Sequence, residues 1–141
     1  MVDVGRLTRV LGRIRQDLAT LRRYAAVDRE QLLGDDARLG HVKYLFVTMM
    51  EGCIDAAHHI CASEGYGPPD TNADAMIVLA RNGVLPDELA ATMADGVRFR
   101  NVLVHLYATV DDRRVVANLD QLDELERFVA AVAGLLTADD G

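Results

Sequence analysis

Leu7, Leu11, Ile14, Leu18, Leu21 and Ala25 recur at steps of four and three, and that spacing restricts the opening of the chain to one kind of structure. An α-helix turns about 100° per residue, so the six side chains form one apolar seam of the sort that packs in a bundle. Val42, Leu45 with Phe46, Met49, Cys53, Ala56 and Ile60 repeat the pattern in a second long helix. A last stripe runs through Val115, Leu119, Leu122, Leu125, Val129, Val132 and Leu136. No segment alternates with period two for long enough to propose a sheet. The expected fold class is therefore all-α, a four- or five-helix bundle in a single domain over residues 1–141.

The punctuation between the stripes places the remaining elements. "DREQLLGDDARLG" reads as a short helix or turn, and "EGYGPPD" stops the second helix with two glycines and two prolines. A shorter helix is expected over 72–81, closed by Asn82-Gly83 in the position of a C-terminal cap. Pro86 then sits in the first turn of a helix over about 86–107, with Asp87 and Glu88 suited to the positive end of its dipole. "TVDDRR" breaks that helix and offers Asp111 or Asp112 as the next N-cap. The tail 137–141, "TADDG", is expected to fray.

With 141 residues, half of them hydrophobic, the chain can bury a core without disulfides or metal. No apolar run approaches 18 residues, and arginines punctuate the first two dozen positions, so neither a transmembrane helix nor a signal peptide fits. A cytoplasmic protein with no membrane partner is expected, its two cysteines, Cys53 and Cys61, kept as thiols. The net charge of −7 argues against a surface that coats nucleic acid wholesale. Residues 1–23 nevertheless carry six arginines against Asp3 and Asp17, a balance of +4 that leaves −11 for the rest. A solvated helix face accounts for this; steering of RNA or of an acidic partner is the sharper reading.

Within the helix over 86–107 lies "RFRNVLVHLY". On a helical wheel Phe99, Val102, Leu103 and Leu106 share one arc facing the bundle. Leu89, Met93 and Val97 fall on another, which continues through Arg100, Val104 and Tyr107. A helix with two apolar faces meets either another helix of its own bundle or a second subunit, and a homodimer would place Arg100 and Tyr107 beside a cleft. Asn101 and His105 are i, i+4 neighbours on the flank. Arg100 and His105, five residues apart, are about 140° apart on an ideal helix. To act on one ligand, the arginine must reach round, the helix must loosen near 104–106, or the pair must converge with the same residues of a second copy.

These residue types support a definite chemistry. Arginine offers a planar, permanently charged fork for phosphate, histidine exchanges a proton near neutral pH, and asparagine can orient either the histidine or a ribose hydroxyl. Together they suit cleavage of an RNA backbone, in which a base removes the 2′-hydroxyl proton and a cation stabilises the charged phosphorane. No metal or other cofactor is required. The plain alternative is a surface arginine, a histidine at the core edge and a tyrosine reaching solvent.

The string "RNVLVHLY", Arg100-Asn101-x3-His105-x-Tyr107, resembles the R-x4-6-H signature of HEPN-domain ribonucleases in the R-x4-H-x-Y form of HepT-like toxins. The resemblance extends through "KYLFVTMMEGCIDAAHHICASEG", "ARNGVLPDELA" and "FRNVLVHLYATVDDRRV", covering roughly residues 40–116. It implies a HEPN-type bundle acting as an RNase toxin of a toxin–antitoxin pair, with the motifs of two subunits lining one cleft. Carried over, Arg100 would hold phosphate, His105 would be the general acid and base, and Asn101 would support them. Tyr107 would be the hydroxyl that a cognate minimal nucleotidyltransferase antitoxin modifies with AMP from ATP. The family commonly has glycine between the histidine and the tyrosine, where this chain has Leu106. Leucine favours continuing the helix and packing into the core stripe. A non-catalytic helical module that binds a nucleotidyltransferase or a nucleotide is the reading from another class, motivated by Leu106 and the acidic charge.

Three other features are weaker. "CIDAAHHIC" offers Cys53, His58, His59 and Cys61, but one helix cannot wrap four such ligands around a zinc ion, and a buried interface is expected instead. Glu51 and Asp55 form an i, i+4 acidic pair, one of which could meet Arg100 across the bundle. The Gly65–Pro69 loop lacks the lysine-bearing helix start of a phosphate loop.

Overall fold

The computed structural model describes residues 1–140, except the side chains of the last two. Its elements are α1 (Val4–Ala25), α2 (Arg29–Leu33), α3 (Asp36–Ser63), α4 (Asn72–Arg81), α5 (Asp87–His105), α6 (Asp112–Ala117), a 3₁₀ turn (Asn118–Gln121) and α7 (Leu122–Asp140). No strand occurs among the described residues, and five helices have ten or more residues, as the apolar stripes predict. Among the described residues no helix is long and apolar enough to cross a membrane. Of the tail 137–141 expected to fray, residues 137–140 belong to α7 and residue 141 lies outside the described residues.

Most helix starts are fixed by short polar side chains. Asp3, Asp28, Asp35, Thr71 and Asp111 each accept a backbone N–H from the first turn of the helix they precede. Each satisfies a donor that the helix cannot pair internally. Gly83 follows α4 with φ +77°, a conformation that suits a residue without Cβ.

The long α3 is the central element. It packs against α1, α4 and α5, and its buried residues, including Val42, Met49, Cys53, Ala56 and Ile60, surround much of its circumference. At Gly52 a Cβ would lie 2.8 Å from Ile14 Cγ1, so the missing side chain is what lets α1 approach so closely. Leu7, Leu11, Ile14, Leu18 and Leu21 of α1 are all buried in that contact and against α7.

The structure departs from the sequence reading at two places. The final stripe is two helices, not one: Asn118 Nδ2 donates to the Arg114 carbonyl at 2.9 Å, and the chain tightens into the 3₁₀ turn. Asparagine and aspartate side chains compete with helical hydrogen bonding in this way, and the change of direction lets adjacent Val115 and Val116 both face inward. The second departure is at the end of α5, which stops at His105 rather than running to 107. Leu106 is 54% exposed and contributes nothing to the core stripe expected of it. Its N–H still donates to the Val102 carbonyl at 2.8 Å, but its own carbonyl accepts from Thr109 and Val110, which reverses the chain into a turn.

Candidate functional site

The two faces of α5 separate along its length. Leu89, Met93 and Val97 are buried within the chain's own core, so the first half of the second face is covered by its own bundle. Beyond Val97 the same face emerges: Arg100 is half-buried, while Val104 and Tyr107 are exposed. Phe99 and Leu103 remain buried on the other arc.

Arg100 is held from two sides. Its Nη2 donates to Glu51 Oε1 at 3.0 Å across the α3–α5 contact, and its Nη1 donates to Asn101 Oδ1 at 3.0 Å. Of the two acids singled out on α3, Glu51 is thus the partner, and Asp55 forms no ion pair among the described residues. Asn101 engages the arginine rather than the histidine. The Arg100 Nε–H is buried without any acceptor. A buried donor left unpaired costs about 1–3 kcal/mol.

His105 is the last residue of α5 and is exposed. Five residues at 1.5 Å rise place it about 7.5 Å along the axis from Arg100. The two side chains leave the helix in different directions, and no hydrogen bond joins them among the described residues.

Tyr107 lies in the turn after α5 and folds back over α3. Lys43 Nζ stands 4.8 Å from its ring centroid and is itself paired with Asp112 Oδ1 at 2.9 Å. The Lys43 side chain is only 11% exposed, so this cation is well fixed. The hydroxyl end passes over Gly40, where a Cβ would approach it to 3.3 Å. Tyr107 remains 49% exposed, beside exposed Val104 and Leu106. Gly40, Lys43 and Asp112 were not foreseen. They meet the tyrosine only through tertiary packing, and the sole hint was a glycine one helical turn before a lysine in α3.

The cysteines and histidines of α3 part company. Cys53 and Cys61 are buried, and burial pushes both thiols above their ordinary pKa. His58 Nε2 bonds Asn72 Oδ1 at 2.8 Å, whereas His59 Nε2 accepts the Asp3 N–H at 2.9 Å. Among the described residues no three His, Cys, Asp or Glu side chains gather as metal ligands.

A helical bundle whose fifth helix ends in Arg-Asn-x3-His, with a tyrosine in the following turn, has the fold of the HEPN class. The sequence model of the family described as ribonuclease HepT-like matches residues 14–132, and the chain belongs to that family. It is similar to an mRNA nuclease HepT of Shewanella oneidensis, 30% identical over 83 residues. That match spans 58% of this chain and 62% of the relative's length. Among solved structures, a tri-AMPylated HEPN toxin of Shewanella oneidensis in complex with MNT antitoxin superimposes with a TM-score of 0.85 at 24% identity, covering 95% of this chain and 99% of that one. The cytosolic protein YutE of Bacillus subtilis, of unknown function, gives 0.85 at 16% identity, covering 98% and 93%. At these identities the likeness establishes the shared fold.

Proposed function

We propose that this chain is a cytoplasmic ribonuclease toxin of a bacterial toxin–antitoxin pair, cutting RNA without a metal at an Arg100–His105 site completed by a second copy. The observation that carries the reading is Arg100. It is a half-buried guanidinium with one N–H lacking an acceptor, one helical turn and a half from an exposed histidine. Arg100 takes the scissile phosphate, with Asn101 holding the guanidinium in place. One His105 removes the 2′-hydroxyl proton as O2′ attacks phosphorus, and an imidazolium returns a proton to the departing 5′-oxygen. The products are a 2′,3′-cyclic phosphate and a free 5′-hydroxyl.

The homodimer is supported by the divergence of Arg100 and His105 within one chain and by exposed Val104, Leu106 and Tyr107 within the motif. Membership of the family, with an mRNA nuclease among the relatives, supports the reaction class.

Neutralisation follows from Tyr107. A minimal nucleotidyltransferase antitoxin transfers AMP from ATP to its hydroxyl, the tyrosyl oxygen displacing pyrophosphate from the α-phosphorus. Each added phosphate puts negative charge and bulk beside the place an RNA phosphate must occupy. The half-exposed tyrosine, in a turn outside the helix, is accessible to such an enzyme. A relative of the same fold is described as AMPylated and bound to its MNT antitoxin, which supports both partner and modification.

Cleavage of single-stranded RNA in the presence of chelator is expected from the wild-type chain and lost in His105→Ala. Equal turnover by the two proteins overturns the reading. Intact mass should rise by AMP units after incubation with a minimal nucleotidyltransferase antitoxin and ATP, and not in Tyr107→Phe.

A further inference from the structure

The cleft that Arg100 borders is a second feature of the site, and nothing in the Arg-x4-His chemistry uses it. It encloses about 300 Å³ between α3, α5, the 3₁₀ turn and α7. Its floor is apolar, built by Phe46, Met49, Met50 and Met93, and Gly96 leaves room for Met50 by lacking a Cβ, which would sit 3.1 Å from the Met50 Cε. Its rim carries Thr92, Arg114, Asn118 and Gln121, together with Asp95, whose carboxylate is paired with Arg98 at 2.9 Å. We propose that this cleft is a nucleobase subsite, taking an unstacked base next to the phosphate that Arg100 holds and setting which nucleotide is cut. The proposal rests on the ribonuclease reading for its substrate.

Three observations choose a base over another occupant. Arg114 lies 5.2 Å over the Phe99 ring and, among the described residues, has no carboxylate partner. A guanidinium held over an aromatic ring is half of a stack, and its exposed outer face is open to a third planar layer. The polar groups on the same rim suit a base edge. Asn118 commits its Nδ2 to the Arg114 carbonyl and keeps Oδ1 as an acceptor, and the Gln121 amide makes no hydrogen bond among the described residues. Acceptor and donor are thus both offered, as reading of an unpaired base requires. Finally, Arg100 is shared. The same side chain lines this cleft and carries the unpaired Nε–H, so a nucleotide with its phosphate on Arg100 has its base within reach of Arg114. The methionine floor is deformable and admits bases of different size, so discrimination falls to the rim amides.

The experiment uses the full chain and single-stranded oligonucleotides in which one position flanking the cut is A, G, C, U or abasic. Wild type should cut substrates with a base there about tenfold faster than the abasic one, the worth of one stacked base, and should prefer one base by about tenfold, the worth of one base-edge hydrogen bond. Arg114→Ala and Gln121→Ala, both at exposed positions, should bring the rates for the A, G, C, U and abasic substrates within about twofold of one another. Thr92→Trp, which fills the cleft from its rim, should do the same. Variants that keep the wild-type preference overturn the subsite. Titration of wild type and Arg114→Ala with AMP, GMP, CMP, UMP and ribose 5-phosphate separates the two readings. If the chain cuts no RNA but binds one nucleotide about tenfold tighter than ribose 5-phosphate, dependent on Arg114, the ribonuclease reading falls and the base cleft stands. If no nucleotide outbinds ribose 5-phosphate, the cleft is refuted whatever the cleavage result.

Discussion

Arg100 Nη2 lies 3.0 Å from Glu51 Oε1, so the motif arginine is already bound to a carboxylate of α3 before any phosphate arrives. The Glu51 side chain is 45% exposed and Arg100 21%, which leaves the pair accessible to a competing anion. On the ribonuclease function proposed above, an RNA phosphate must displace this carboxylate to take the guanidinium. Glu51→Gln keeps the shape and an acceptor but removes the competing charge. The KM for RNA should fall about threefold, the worth of a partly exposed ion pair, with kcat within about twofold of wild type. Steady-state kinetics at fixed salt decides. A raised KM would mean that Glu51 positions Arg100 more than it competes for it.

Leu106 follows His105 directly, and it has already left the helix. Its φ of −127° and ψ of 34° are open to any residue, and its carbonyl closes the turn to Thr109 and Val110. Glycine is not required at this position. Leu106→Gly should leave RNA cleavage within about twofold of wild type and lower stability by about 0.5–1 kcal/mol, because glycine adds freedom to the unfolded chain. A large gain in turnover would show that the leucine does restrain His105.

Much of the scaffold was legible in the sequence because helix periodicity and capping residues are local signals. The α4 boundaries, a cap at Asp111 or Asp112 and the seam of α1 all follow from residues within one or two turns of each other, and the structure selects Asp111. The end of α5 was not legible. Leucine is a good helix former, and what stops the helix there is the return of Tyr107 onto Lys43 and Gly40, sixty-odd residues earlier in the chain. The cleft beside Arg100 escaped for the same reason: Phe99 read as a core residue, and nothing local tied it to Arg114, which meets its ring only through tertiary packing. The Arg100–Glu51 pair was only half legible, since two acids one turn apart on α3 were equally good partners until the helix rotation was known.

Two glycines of α3 should respond to the same substitution with opposite signs. At Gly52 the new methyl would lie 2.8 Å from Cγ1 of Ile14, a fully buried side chain with nowhere to go, so Gly52→Ala should destabilise by about 1–3 kcal/mol. At Gly40 the nearest atom is the hydroxyl of half-exposed Tyr107, which can swing outward. Gly40→Ala should therefore realise most of the helix-propensity gain, about 0.5–1 kcal/mol. Denaturant titration of both variants tests the pair, and destabilisation by Gly40→Ala would show that the tyrosine is rigidly seated. AMP transfer to Tyr107 in Gly40→Ala should change in rate, because its hydroxyl must move.

Asp17 is half-buried at the α1–α3 contact and accepts the Thr48 hydroxyl at 2.8 Å. Burial pushes its carboxyl above the ordinary 3.8, against the opposing pull of that hydrogen bond and of the Arg13 and His41 charges. The folded state thus holds the proton more tightly than the unfolded chain does. Stability from this group is greatest below pH 3.8 and falls as pH rises from there through the raised folded value, after which the loss is constant. Asp17→Asn keeps an acceptor for Thr48 and cannot ionise. Its Tm should exceed that of wild type at pH 7, and the difference should shrink as pH is lowered toward 4. A variant less stable than wild type at pH 7 would show that the Thr48 hydrogen bond to a charged acceptor outweighs the cost of burying the carboxylate.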